Sequence, residues 1–273
     1  MRKISDSAGK IVFWASPLIQ RLKKVPLFRR LFHFAGGLVL PVDHRVWVEV
    51  QSGVAENLRM KLNPRTQTSF YTSPHDLALR DLLVEYLRPG MTFWDLGANQ
   101  GIYSLVAAKL VGPTGKVLAF EPDPELVERL TEHAVANRCS NIRVIQAAVG
   151  SVDGSVSFDR GGDSGDFGQG KMVPHEESSP RSSVVAVRCM TLDALSQHEP
   201  PPNFIKCDVE GAEIEVFHSA RELLRIQSPY IECEVHSDVI GETLSQFLRA
   251  SGYSLKWYAE SHFLAVPVSP RCP

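Results

Sequence analysis

Two acids near the ends of apolar runs and one dense block of charge are the residues of this chain best placed to do chemistry. Phe93-Trp94-Asp95-Leu96-Gly97-Ala98-Asn99-Gln100-Gly101 sets Asp95 late in an apolar run and follows it with a small-residue turn, ahead of a helical pattern beginning near Ile102. A dinucleotide fingerprint needs glycine at its first, third and sixth positions. Here the third and sixth are Asn99 and Ile102, which argues against a pyrophosphate ligand. A second run, Val117 to Phe120, ends in Glu121-Pro122-Asp123-Pro124, with Glu121 about 24 residues after Gly97. One βα unit of that length brings Glu121 to the crevice at the carboxyl ends of the strands, where an acid accepts bonds from both ribose hydroxyls. Asp123 ahead of Pro124 fits a helix cap instead, since proline suits the first helical position.

S-adenosylmethionine carries an ammonium, a carboxylate and a sulfonium but no pyrophosphate, so an acid beside a small-residue turn suits its charges. The expected cofactor-binding residues are Asp95, Gly97, Ala98, Asn99, Gly101, Glu121 and Pro122, with Asp208 nearby. The end of the third strand should line the adenine, which points to Gln146, Ala147 and Ala148, with Asn141 as a further candidate.

The charged block is Phe204-Ile205-Lys206-Cys207-Asp208-Val209-Glu210-Gly211-Ala212-Glu213. A buried strand ending in several charges places them where α/β enzymes bind ligands. Asp208 and Glu210 read as catalytic. Lys206 reads either as catalytic or as the partner of Asp208 or Glu210, and Glu213 and Glu215 either join the site or favour the start of the following helix. Methyl transfer to a protic acceptor would need alignment and removal of the acceptor's proton. Asp208 and Glu234, on neighbouring strands, would hold Mg²⁺ with hard oxygen ligands, and His236 would alternatively act directly as the base.

The elements that must position these residues alternate in period. Strand-like runs at Thr92 to Leu96, Val117 to Phe120 and Arg143 to Ala148 are separated by helical patterns at Tyr103 to Leu110 and Glu125 to Asn137. Such alternation implies right-handed βαβ crossovers and a parallel sheet. Further strands are expected at Val156 to Phe158, Val184 to Arg188, Phe204 to Cys207, Tyr230 to Val235, Ser254 to Tyr258 and Phe263 to Val266, with helices at Ala212 to Arg225 and Gly241 to Ala250. The expected fold is α/β, Rossmann-like, with a mostly parallel seven-stranded sheet covered by helices on both faces. Residues 74–273 form its domain, opening with an amphipathic helix from Pro74 that Pro89-Gly90 ends. Gly161 to Ser183 breaks the pattern and reads as a long loop. Residues 42–73 read as a β-hairpin, Val46 to Val50 turning at Gln51-Ser52-Gly53 and returning to Leu62, in the role of a lid or dimer surface.

With Asp95 to Gly101, Phe120 to Pro124, Thr191-Leu192-Asp193 and the Phe204 to Glu213 block in this order, the chain resembles the FkbM family of methyltransferases over roughly Pro74 to Val235. The resemblance implies a class I methyltransferase fold and O-methylation of a hydroxyl on a sugar, glycolipid or polyketide-type natural product. The placement of Asp208 and Glu234 on neighbouring strands is similar to that used by metal-dependent catechol O-methyltransferases. Two other functions compete. An N-methyltransferase acting on an amine or peptide would favour an Asn/Asp-Pro-Pro-Tyr/Phe motif after the fourth strand, where this chain has Asp208-Val209-Glu210-Gly211. A noncatalytic cofactor-binding scaffold is disfavoured by intact Asp95, Glu121 and Asp208.

A net charge of −2 with 22% charged residues carries no nucleic-acid footprint. Five scattered cysteines, with no close pair, suit a reducing, cytoplasmic setting. Charge is uneven, however: Met1 to Ala35 holds eight Lys or Arg against the single acid Asp6. Residues 1–41 therefore read as a separate basic amphipathic helical segment, too interrupted by Pro17, Pro26 and Arg21-Leu22-Lys23-Lys24 to span a membrane. Trp14, Leu18, Leu22, Phe28 and Leu31, interleaved with Lys23, Lys24, Arg29 and Arg30, fit peripheral contact with an anionic membrane or packing on the domain.

Overall fold

The computed structural model describes residues 45–50, 54–63, 67, 74–161, 170–173 and 183–268. The expected basic helix at residues 1–41, the turn Gln51-Ser52-Gly53 and most of the loop from Gly161 to Ser183 lie outside them. The chain divides into two compact units at Asp81 and Leu82. In the first, β1 (Val46–Glu49) and β2 (Arg59–Leu62) pair antiparallel, with Val46 opposite Leu62 and Glu49 opposite Arg59. Asn57, with φ 68°, helps close this hairpin, its N–H bonded to the Val50 carbonyl at 2.8 Å. Helix α1 (Pro74–Tyr86) follows.

The second unit is built on seven strands: β3 (Thr92–Leu96), β4 (Lys116–Phe120), β5 (Ile142–Ile145), β10 (Phe204–Cys207), β11 (Tyr230–Glu234), β12 (Tyr253–Trp257) and β13 (His262–Pro267). Their order across the sheet is β12-β13-β11-β10-β3-β4-β5, and β13 runs antiparallel to both of its neighbours. β3, β4 and β10 are buried along most or all of their length, which is why they read as unbroken apolar runs.

Alternate residues feed two cores. Trp94, Leu96, Phe120, Ile205 and Cys207 pack against α5 (Glu213–His218), α6 (Arg221–Gln227) and α7 (Asp238–Ala250) on one face. On the opposite face Ala119 meets Leu130 of α3 (Pro124–Ala136), beside α2 (Ile102–Val111).

A second sheet of four strands, in the order β6-β9-β7-β8, is inserted after β5. It comprises β6 (Ala148–Val149), β7 (Gly154–Asp159), β8 (Lys171–Val173) and β9 (Val184–Met190). The expected single strand Arg143 to Ala148 is thus two, with the chain leaving the main sheet at Gln146 and Ala147.

The helix expected from Ala212 to Arg225 is also two, broken at Ser219 and Ala220. Its cause lies far away in sequence. Thr191 caps α4 (Leu192–His198), accepting the Ala194 N–H at 3.3 Å, and the next acid, Asp193, accepts the N–H groups of Glu222 at 3.2 Å and Leu223 at 2.8 Å. The Thr191-Leu192-Asp193 motif is therefore a double helix cap that starts α6 afresh. No helix among the described residues is long and apolar enough to cross a membrane.

Candidate active site

Asp95 is fully buried in β3. Its Oδ2 accepts the Ser104 hydroxyl at 2.6 Å, and its Oδ1 lies 3.6 Å from Lys206 Nζ, directly across in the register of β3 with β10. Lys206 also donates to the Gly97 carbonyl at 3.1 Å and to Asp208 Oδ2 at 3.3 Å. Burial pulls the lysine pKa down, but Asp208, Asp95 and Glu232 together outweigh it and hold the ammonium above the ordinary lysine value. This permanent cation ties the Gly97 turn to the end of β10.

The two loops interlock at the backbone as well. Gly97 has φ 71°, and a Cβ added there would stand 1.8 Å from the Asp208 carbonyl oxygen. Glu210, two residues on, is held at φ 53°, the left-handed region that costs a non-glycine residue about 1–3 kcal/mol and clusters at functional sites.

Glu121 closes the end of β4. Its Oε2 accepts the Asn99 N–H at 2.8 Å and its Oε1 the Asp123 N–H at 2.9 Å. Burial nevertheless raises its pKa to about 7. Each oxygen keeps a second lone pair for a ligand hydroxyl. Asp123 caps α3 as expected, accepting the Glu125 N–H at 2.8 Å with Pro124 in the first turn.

Gly97, Asn99, Glu121, Pro122, Ala147 and Asp208 line one cavity, joined there by Ala148 and Glu210. Asp95, Ala98, Gly101 and Gln146 are not among its lining residues. Asp95 stands behind the turn as its anchor, and Gly101, at φ 85°, admits the close approach of Leu130, whose Cδ1 would lie 1.8 Å from an added Cβ. Asn141 is placed elsewhere: its Nδ2 donates to the carbonyls of Ala108 at 3.0 Å and Gly112 at 2.9 Å, clamping the end of α2.

His236 follows β11 and faces the same loop as Asp208. Its Nδ1 is 2.7 Å from Oε1 of fully buried Glu213, and its Nε2 lies 3.2 Å from Glu210 Oε2 and 3.7 Å from Asp208 Oδ1. The Glu213 hydrogen bond raises the imidazole pKa to about 9. Burial raises Glu210 to about 7, and burial together with Asp208 also raises Glu234. One ligand atom each from Asp208, Glu234 and His236 lies within 4.8 Å of the others. Beneath them Glu232, opposite Lys206 in register, accepts the Tyr258 hydroxyl at 2.6 Å and is 3.1 Å from His262 Nδ1.

Sequence reasoning missed Phe158, Arg160, Gly170 and Met172, which also line the cavity. Phe158 did end an expected strand, but nothing local told that its sheet would contribute to the cavity.

Strand order, and a crevice at the carboxyl ends of the central strands, are those of the Rossmann-like class I methyltransferase fold. Residues 95–255 match the Methyltransferase FkbM domain, and the chain belongs to that family. Among curated proteins it is 26% identical to the hexuronic acid methyltransferase AglP of Haloferax volcanii over 61% of this chain and 65% of that one. It is 38% identical to a protein-L-isoaspartate O-methyltransferase of Triticum aestivum over 29% of this chain and 30% of that one. The matched regions thus span less than two thirds of either relative. The FkbM methyltransferase structure from Methylobacillus flagellatus aligns with a TM-score of 0.45 at 16% identity, covering 72% of this chain and 54% of that one.

Proposed function

We propose that this methyltransferase transfers its methyl group to a hydroxyl of a sugar, glycolipid or related natural product, with His236 as the proton acceptor. The carrying observation is the 2.7 Å contact between His236 Nδ1 and buried Glu213, which leaves Nε2 toward Asp208 and Glu210 at the edge of the cavity that Glu121 lines. A carboxylate on one ring nitrogen fixes the tautomer and orientation needed of a general base. AglP, a hexuronic acid methyltransferase by name, supports the sugar class.

The residues present suit S-adenosylmethionine. Glu121 would take the ribose hydroxyls, Ala147 and Ala148 would border the adenine, and the Gly97 turn with Asn99 would receive the amino-acid end. Asp95 has an oxygen without a hydrogen-bond donor and would act through Lys206 and the turn. When bound, the cofactor supplies an electrophilic methyl carbon activated by a sulfonium. The chain's own residues hold the acceptor, exclude water and remove its proton at His236 Nε2.

The pH profile tests the base. Only neutral imidazole accepts a proton, so kcat/KM is expected to rise about tenfold per pH unit up to the imidazole pKa of about 9. Glu213→Gln removes the main cause of the raised value and should move the break toward about 6.5. A wild-type profile flat between pH 6 and 9, in about the range where imidazole titrates, would remove His236 from this role. The same proton is linked to stability. Its contribution is complete below an unfolded pKa of 6.5 and is lost as pH rises through about 9.

A second reading is favoured by the clustering of Asp208, Glu234 and His236. These residues would hold a divalent cation, Mg²⁺ or one more tolerant of imidazole, that polarises the acceptor hydroxyl. Chelation by EDTA followed by add-back of Mg²⁺ or Mn²⁺ should then remove and restore turnover. Indifference to both leaves the metal-free base.

A lipid-linked acceptor would give the basic N-terminus a purpose, because anionic lipid attracts each nearby Lys or Arg by about 1 kcal/mol. The full chain is expected to co-sediment with anionic but not neutral vesicles, and a chain starting near Val42 with neither. Equal sedimentation of both chains would count against the anchor.

A further inference from the structure

The main sheet supplies only part of the crevice. Glu121 and Pro122 at the end of β4 and Ala147 after β5 line the cavity together with Phe158 of β7, Gly170 just before β8 and Met172 of β8. Gly170 is packed closely on Phe158, whose Cζ would stand 2.4 Å from an added Cβ, and Met172 packs against the small core that contains Phe158. Phe158 is 5% exposed and belongs to a small core of the inserted sheet with Ala148, Val187 and Cys189.

Immediately after β7, Arg160 reaches back to the main domain. Its Nε donates to Asp123 Oδ2 at 2.7 Å and its Nη2 to Asp123 Oδ1 at 3.0 Å, with Glu125 Oε2 3.2 Å away. Asp123 is almost fully buried and already caps α3, so one carboxylate both starts that helix and receives the guanidinium fork. The fork is bidentate, a geometry that lysine does not reproduce.

We propose that the inserted four-stranded sheet is the second wall of the adenine pocket, with Phe158 and Met172 covering the base and the Arg160–Asp123 fork latching that wall to the Glu121 side. The proposal rests on the cofactor assignment made above. An adenine is flat and apolar on both faces, and a site open on one face leaves half of that surface in water. Here the covering residues come from an insertion that the Arg160–Asp123 fork ties to the main domain. Arg160 is thus a positioning residue that acts on the cofactor through the wall.

Calorimetric titration with S-adenosylhomocysteine and with 5′-methylthioadenosine, which keeps adenine and ribose but lacks the amino-acid end, tests this. Wild type should bind both. Phe158→Ala, and separately Phe158→Leu, which keeps volume but not the ring, should weaken both ligands by about five- to a hundredfold, the range for aromatic contacts with a base. Arg160→Gln, at a part-exposed residue, should weaken both by a similar factor while retaining a cooperative thermal transition. Wild-type failure to bind S-adenosylhomocysteine would remove the cofactor reading itself. Wild-type binding with unchanged affinities in Phe158→Leu and Arg160→Gln would overturn the wall, as would a loss confined to S-adenosylhomocysteine.

Discussion

Gly97→Ala is expected to destabilise the protein by about 3 kcal/mol or more and to abolish measurable S-adenosylhomocysteine binding. The new Cβ would lie 1.8 Å from the carbonyl oxygen of Asp208 and 2.9 Å from its carbonyl carbon. Both partners are backbone, so no rotamer relieves the clash, and the left-handed φ of 71° adds strain of its own. The loop that must shift is the one that lines the cavity. Gly112→Ala is the control, because φ there is 65° but nothing lies within 4 Å of the added carbon. With ψ −174° this position sits in a backbone region essentially restricted to glycine, so the change should cost about 1–3 kcal/mol of backbone strain alone and leave binding intact. Denaturant midpoints and calorimetry read both effects. A Gly97→Ala protein as stable as Gly112→Ala would show that the interlock of the two loops is not what holds the site.

His236→Gln and Asp208→Asn are each expected to lower kcat on a true acceptor by about 10²–10⁴-fold, the usual contribution of a positioned base, while changing S-adenosylhomocysteine affinity by less than about tenfold. Asp208→Asn keeps the shape of the side chain but removes the carboxylate 3.7 Å from His236 Nε2 and 3.3 Å from Lys206 Nζ. Lys206 retains Asp95 and the Gly97 carbonyl, so the turn should stay in place. Glu121→Ala should do the reverse, raising the cofactor dissociation constant by about ten- to a hundredfold, the range for a charge-assisted hydrogen bond. Near-normal turnover in both His236→Gln and Asp208→Asn would dismiss the proposed proton path.

Much of this was legible in the residues because the central strands are buried on both faces and read as apolar runs ending in acids. Asp95, Glu121 and Asp208 fall at the ends of three adjacent strands for that reason. What stayed hidden depends on partners distant in sequence. Asp193 restarts a helix at residues 29 and 30 positions away, and the apolar periodicity from Ala212 to Arg225 runs straight across the break it causes. Arg160 meets Asp123 37 positions away, so the folding-back of the inserted sheet left no local trace. Asn141 had the right residue type and strand but lies at its start, away from the carboxyl end where ligands bind.

The grip of Lys206 on the Gly97 carbonyl, together with the backbone contact between Gly97 and Asp208, couples two segments more than a hundred positions apart in the chain. The Asp208 N–H itself bonds to the Leu96 carbonyl at 3.1 Å, so its deuterium exchange requires the Gly97 turn and the Asp208 loop to part. Occupancy by S-adenosylhomocysteine should therefore slow exchange at Asp208, although that amide needs no contact with the ligand. Ligand binding at the Gly97 turn would in this way be felt as rigidity in the Asp208 segment, which a local contact map of the ligand would not reveal.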